Sequence, residues 1–251
     1  MTFASLERIC DAETVDELWN IYTEVMAEFG FDRLLYGLTR FKSGQSLGDM
    51  QDSLILTNHD TEFVDKYVTS GLFIHAPMMR WSIENTGACS WSWMDGMVGS
   101  DDAFTESERK VLALNHGSGV TAGYTISFKS STIRTKGAIA LTGKKGVSQT
   151  QVDEIWEKHG QEILVISNVA HLKIISLPHA GTRKPLTHRQ REVLEWVGDG
   201  KTMQDIAVIM GLTSATVEKH LRLAREALDV ETTAQAVLKA SFQNQIFVLE
   251  G

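Results

Sequence analysis

The sequence predicts an α+β protein in two parts: an α/β/α sandwich around an antiparallel sheet, then a small all-α domain of four helices. Three observations predict it. The strand-like segments of the N-terminal part follow one another without crossover helices, which favours antiparallel pairing. The chain holds three prolines, Pro77, Pro178 and Pro185, and two of them bracket residues 178–185. Proline lacks a backbone donor and restricts the residue before it, so helices tend to stop there. Beyond Pro185 the apolar spacing is helical, with glycines at the breaks. The expected division is a first domain over residues 1–176, a linker over 177–185 and a second domain over 186–251.

In the first domain, Thr14-Val-Asp-Glu17 is a capping-box pattern. Leu18, Trp19, Tyr22, Val25, Met26 and Phe29 follow at helical spacing, and Gly30 ends the run. Leu34–Phe41 and Ser53–Leu56 read as strands. Thr61–Ser70 reads as a short amphipathic helix with Phe63 and Tyr67 one turn apart. Pro77 opens another short helix that includes Trp81. Thr105-Glu-Ser-Glu108 caps a helix to about Gly117. Thr121–Lys129 and Gly137–Leu141 read as a strand pair. Ser148-Gln-Thr-Gln151 caps a long helix to about Ser176, with Val152, Ile155, Trp156, His159, Ile163, Ile166 and Ala170 on one face. His159 and His171 on that helix read as surface or interface residues rather than metal ligands.

In the second domain, Thr187-His-Arg-Gln190 caps a helix with Val193, Leu194 and Val197 inside, ended by Gly198 and Gly200. Thr202-Met-Gln-Asp205 starts a second helix through Met210, with Ile206 and Ile209 inward. Gly211 supplies a tight turn, and Thr213 or Ser214 caps a third helix that buries Val217, Leu221, Ala224 and Leu228. A fourth runs from about Thr232 to Phe247. Two short helices joined at a glycine turn form a helix-turn-helix, whose second helix enters the major groove of DNA. The third helix offers Ser214, Thr216, Lys219, His220, Arg222 and Arg225 on its polar face, and Thr202 is a further candidate contact. Hydroxyls and backbone amides near a helix N-terminus suit phosphates, and Arg222 can be bidentate to guanine or hold a phosphate. On pattern alone, a small bundle with a solvated polar face competes with this reading.

The 251 residues are 43% hydrophobic and 22% charged, which excludes a disordered or collagen-like chain. Two cysteines, Cys10 and Cys89, cannot make a disulfide scaffold or a cysteine zinc cluster. The N-terminus lacks the apolar core of a signal peptide, and no apolar run approaches the roughly 18–20 residues of a membrane helix. A cytoplasmic location with no membrane partner follows by elimination. No nucleophile elbow, phosphate loop or metal motif is present, so neither an enzyme nor a metal or cofactor site is expected. The net charge of −8 argues against nucleic acid only if it is evenly spread. Residues 183–251 hold nine cations and nine anions, and the first 182 hold 15 and 23. The whole excess is therefore in the first domain. The cations of the neutral second domain are expected on one face.

Leu186-Thr-His-Arg-Gln-Arg-Glu-Val-Leu194, Gly200-Lys-Thr, Asp205-Ile-Ala207, Gly211-Leu-Thr-Ser-Ala-Thr-Val217 and His220-Leu resemble the LuxR-type helix-turn-helix over most of residues 186–240. Gln190 stands where that family usually has Glu, and a glutamine can still close the capping box with Thr187. Glu218 stands at a groove-facing position where a cation would be easier to explain. The first domain resembles the autoinducer-binding domain of LuxR quorum-sensing receptors, through Thr57-Asn58, Tyr67, Pro77, Trp91, the Gly119/Gly123 pair and the long final helix. The resemblance implies a dimeric transcription regulator that binds an N-acyl homoserine lactone or related apolar signal and a palindromic DNA operator, with RNA polymerase as a further partner. The final helix of the first domain and the last helix of the second, with Val237, Leu238 and Phe242, are the candidate dimer faces.

In the resembling family a Trp donates to the lactone carbonyl, an Asp accepts from the amide N–H and tyrosines donate to the amide carbonyl. Carried over by motif, the Trp position is Phe63, which cannot donate. The Asp position, before Pro77, is Ala76, which cannot accept. One Tyr position is His59, with a charge expected to depend on pH; the other is Tyr67. Trp91 is retained as an apolar wall, with Trp93 as an alternative alignment, and His75 lies beside Ala76. Thr125 keeps a hydroxyl at a pocket-facing strand position. Leu35, Gly37, Leu112 and Gly143 are candidate tail-lining positions. An unsatisfied buried amide costs roughly 1–3 kcal/mol, so other groups must compensate or the ligand is not an ordinary lactone. An orphan regulator that takes a non-lactone ligand, or none, is the alternative.

Overall fold

The structure is a computed structural model that describes residues 2–44, 46–97, 104–130, 132–179 and 184–247. Residues 180–183 of the expected linker lie outside them. The chain divides into two compact units, 1–175 and 176–251.

The first unit opens with helices α1 (Thr2–Asp11) and α2 (Val15–Glu28). Thr14 Oγ1 accepts from the Glu17 amide and fixes the start of α2. Strands β1 (Phe31–Thr39) and β2 (Leu54–Thr57) follow. Next come a helical turn α3 (Thr61–Val64), a π-helical turn (Asp65–Thr69) and a 3-10 turn (Leu72–His75). Then α4 (Pro77–Glu84), β3 (Gly87–Ser90) and 3-10 turns over Trp91–Met97 lead to α5 (Glu106–Gly117), β4 (Gly123–Ser127), β5 (Lys136–Gly143) and α6 (Gln149–Ser176). The sheet order is β2-β1-β5-β4-β3, with every neighbouring pair antiparallel. The expected fold class is therefore the observed one. The expected Thr61–Ser70 helix is instead one α turn followed by a π turn. Helix α1 and strand β3 carry no clear pattern in the sequence.

Alternation along the strands sorts the sheet into two faces. On one, the Tyr124 ring stacks on Trp156 of α6 at 3.9 Å, and the Tyr36 hydroxyl lies 2.9 Å from His171 Nδ1. Leu34, Ile139 and Leu141 are buried on this same face. His171 is 6% exposed, which corrects its expected surface position. Its imidazole stacks on Phe128 at 4.1 Å and nearly parallel. A Cβ at Gly137 would lie 2.6 Å from that ring, so only glycine leaves it room. His159 remains on the surface side of α6 with its side chain about half exposed (48%).

The second unit has α7 (His188–Gly198), α8 (Met203–Met210), α9 (Ser214–Leu228) and α10 (Thr233–Phe242) around a core that includes Val193, Leu194, Ile206, Val217, Leu221 and Ala236. The Gln190 side chain accepts from the Thr187 amide at 2.8 Å, so glutamine serves as the reciprocal cap. Gly211 ends α8 in the left-handed region at φ 67°. Thr213, not Ser214, caps α9. Ile209, expected inward, is 46% exposed, and Ala207 takes the inward position beside Ile206. Helix α10 ends at Phe242, short of the expected Phe247, because Asn244 and Phe247 adopt positive φ. The Gln245 side chain there accepts from the Leu186 amide. Residues 177–179 pack with this unit, the His179 amide donating to the Gln243 carbonyl at 3.0 Å.

Candidate functional site

A cavity of about 350 Å³ lies in the first unit, on the sheet face away from α6. That size suits a small organic ligand. The sheet makes room by presenting small residues. Gly37, Ala138 and Ala140 sit in mid-sheet yet keep accessible surface, and a Cβ built on Gly37 meets nothing within 4 Å. Leu35, Ile55, Met50 and Leu47 line the wall near β1 and β2, with Phe73, Met78, Met79, Met94, Leu112 and Val120 opposite.

One wall is an aromatic ladder. His59 stacks on Phe63 at 4.5 Å and Phe63 on Tyr67 at 4.9 Å, with Phe73 tilted against Tyr67 at 6.4 Å. Spacing of four residues along a helical turn brings these rings together. Phe63 thus contributes stacking where it has no polar atom. Burial, and secondarily the Arg33 guanidinium, lower the His59 pKa to about 4. Its expected charge change therefore lies well below neutral pH, and the ring is neutral at pH 7.

Trp91 Nε1 donates to Thr125 Oγ1 at 2.9 Å. The pair is buried, so the Trp91 donor is used on the protein and the Thr125 proton remains for another acceptor. Tyr67 and Asn115 both line the cavity, and burial, offset in part by the Asn115 side chain, raises the Tyr67 pKa. Among the described residues, three buried polar atoms of the lining have no partner: Asn115 Oδ1, Ser53 Oγ and Thr142 Oγ1. Unpaired buried acceptors and hydroxyls are uncommon and mark places where a ligand can bond.

His59, Phe63, Tyr67, Ala76, Trp91, Thr125, Leu35, Gly37 and Leu112 all line this cavity. Gly143 does not, because it packs against Val152 and its carbonyl accepts from Arg33. Trp91 rather than Trp93 lines it, and His75 is exposed. Sequence reasoning missed Asn115, Ser53 and Thr142, which follow no motif. Among the described residues no cluster of His, Cys, Asp and Glu could hold a metal ion.

In the second unit, Ser214, Lys219 and Arg222 are exposed on α9, with Thr216, His220 and Arg225 partly so. Arg222 pairs with Glu226, and Arg225 bonds Glu218 at 2.9 Å and Thr233 at 2.9 Å. Glu218 thus has a cation for its partner within the helix. Lys239 is 7% exposed and donates to the Leu228 carbonyl at the C-terminus of α9, a favourable place for a cation. The cations are therefore not gathered as one unpaired cluster. Lys219 has no ion-pair partner among the described residues. Thr202 is exposed but bonds Asp205 in its own capping box.

The family model described as "Autoinducer binding domain" matches residues 14–174, and that described as "Bacterial regulatory proteins, luxR family" matches residues 184–240. The transcriptional activator protein AnoR of Acinetobacter nosocomialis is 23% identical over 233 residues, 90% of each chain. SdiA of Escherichia coli superimposes with a TM-score of 0.54 at 16% identity, covering 98% of both chains. The N-acylhomoserine lactone dependent CepR2 of Burkholderia cenocepacia superimposes with a TM-score of 0.53 at 15% identity, over 70% of this chain and 94% of that one. No helix among the described residues is long and apolar enough to cross a membrane. With both family models matched in order, the chain belongs to the LuxR family of quorum-sensing, DNA-binding transcription regulators.

Proposed function

We propose that this chain is a cytoplasmic, ligand-responsive homodimer that binds a palindromic operator and signals to RNA polymerase. The signal is a small, neutral, largely apolar molecule of the acyl homoserine lactone type or related to it. The observation that carries the reading is the apolar cavity with unpaired polar atoms on a small-residue sheet face. Mass spectrometry of small molecules extracted from the purified protein, expressed with and without added N-octanoyl homoserine lactone, tests it. Phe63 and Ala76 favour a second reading, a regulator answering a non-lactone molecule or none. Under that reading the protein is soluble and binds its operator equally well without lactone.

Dimerisation fits the helix-turn-helix requirement for two half-sites one helical turn apart. On the two candidate helices, Val165 and Leu172 of α6 and Leu238 of α10 are exposed apolar residues that suit it. Sedimentation of the protein on operator DNA as a monomer would refute this part.

The Lys219→Ala variant is expected to weaken operator binding about 5- to 10-fold across sequences. It should also reduce the slope of log K against log salt by about one, as loss of a phosphate contact does. Fluorescence anisotropy at several salt concentrations reads both. Phe63→Trp supplies an N–H donor at the cavity wall. It should raise affinity for N-octanoyl homoserine lactone about tenfold, the effect of one hydrogen bond to a buried carbonyl. Unchanged affinity would show that residue 63 does not meet the lactone carbonyl.

A further inference from the structure

The Asn115 side chain stands at the C-terminal end of α5, and its backbone carbonyl accepts from the Val120 amide at 2.8 Å. It lines the cavity together with Tyr67, and its Oδ1 is buried without a partner. Burial raises the Tyr67 pKa, so Tyr67 keeps its proton as a donor and Asn115 keeps a buried acceptor. At the same end of the cavity Thr142, 1% exposed, carries a hydroxyl without a partner. The Gly143 amide beside it bonds the Ala122 carbonyl, which joins this end of β5 to the segment after α5. Ala76 offers no acceptor at its own position on the lining.

We infer that Asn115 is a specificity-determining ligand contact, its Oδ1 accepting from an N–H or O–H of the signal while Tyr67 donates to a neighbouring carbonyl. The ligand class is a neutral amphiphile whose polar head carries both a carbonyl and a hydrogen-bond donor. Asn115 thereby supplies the acceptor that Ala76 lacks, and it does so without a charge. A neutral acceptor needs no desolvation of a carboxylate. The inference rests on the reading that this cavity holds the signal. Its rival is a buried water bonded to Oδ1, which predicts no discrimination between donor-bearing and donor-free ligands.

Two isosteric probes separate these possibilities: N-methyloctanamide, with a carbonyl and an N–H, and methyl octanoate, with a carbonyl and no donor. Calorimetry on the full chain should give at least about tenfold tighter binding of the amide, the worth of one buried hydrogen bond. Asn115→Leu should reduce amide affinity about tenfold and leave ester affinity within about threefold, so that the preference collapses. Asn115→Gln retains a neutral amide acceptor and should retain the preference, which keeps the test decisive if the leucine variant does not fold. A preference that survives in Asn115→Leu, or disappears in Asn115→Gln, overturns the assignment of Asn115. If that happens while Ala140→Leu still excludes both probes, the cavity reading stands and only the Asn115 inference falls. Probes that fail to bind the wild type, or that bind Ala140→Leu unchanged, overturn both.

Discussion

Replacing Ala140 with leucine is expected to abolish ligand response while leaving the first unit folded. Ala140 lies in the middle of β5, between Leu35 of β1 and Thr125 of β4. An alanine at such a place should be fully covered, yet it keeps accessible surface because the cavity lies over it. A leucine branch there extends into space that no protein atom occupies. It meets the ligand instead, close to the Trp91–Thr125 hydrogen bond. Overpacking of this kind typically costs about 1–3 kcal/mol for each ill-fitting side chain, roughly 5- to 150-fold in affinity. The folded protein gains apolar contact, so its melting temperature without ligand should be unchanged or higher. Gly37→Val should act the same way, since its Cβ is free of neighbours and a β-branched residue suits a strand. Calorimetry with the ligand recovered from the wild type reads the loss, and thermal denaturation reads the fold. A variant that binds normally would place the ligand elsewhere.

Elements with strong local chemistry were legible before the structure. Thr14, Thr105 and Ser148 each head a helix because a side-chain oxygen there can reach an amide of the first turn. Spacing alone put Phe63 and Tyr67 one turn apart, and their rings stack. Strand β3 was not legible, because Gly87-Ala-Cys-Ser90 has neither alternation nor large apolar residues, and its place comes from pairing with β4. Asn115 was invisible for a related reason. Nothing local distinguishes a helix-terminal asparagine, and its place on the cavity lining with Tyr67, which is distant in sequence, comes from the fold. Arg225 illustrates another limit. Its helical position suggests a groove contact, and only coordinates show that its guanidinium also bonds Glu218 and Thr233. The charge ledger behaves likewise: neutrality of the second domain was countable, whereas the burial of Lys239 and the pairing of Arg222 required coordinates.

His171 also escaped the sequence reading, and it leads to the second large effect. Burial, and secondarily the Arg40 guanidinium, lower its pKa from 6.5 to about 4. In the fold the neutral ring bonds Tyr36 and stacks on Phe128. Above about pH 6.5 the ring is neutral whether the chain is folded or not, so this contribution is constant. Between pH 6.5 and about 4 the unfolded chain takes up a proton that the folded chain refuses, and stability falls as pH falls. The accumulated loss is about 3 kcal/mol, after which the slope from this group vanishes. Carboxylates titrate over part of the same range, so the wild type alone does not isolate the effect. His171→Leu does, because it removes the proton site. The variant should be less stable at pH 7.5 by roughly 1–3 kcal/mol, since Tyr36 loses its buried partner. Its deficit should shrink or reverse by pH 4.5, where the wild type alone carries the cost of a buried imidazole. Urea denaturation of both proteins at the two pH values measures the difference. A deficit that stays constant would mean that His171 titrates in the fold as it does in water, and that the packing of α6 on Tyr36 and Phe128 does not exclude solvent.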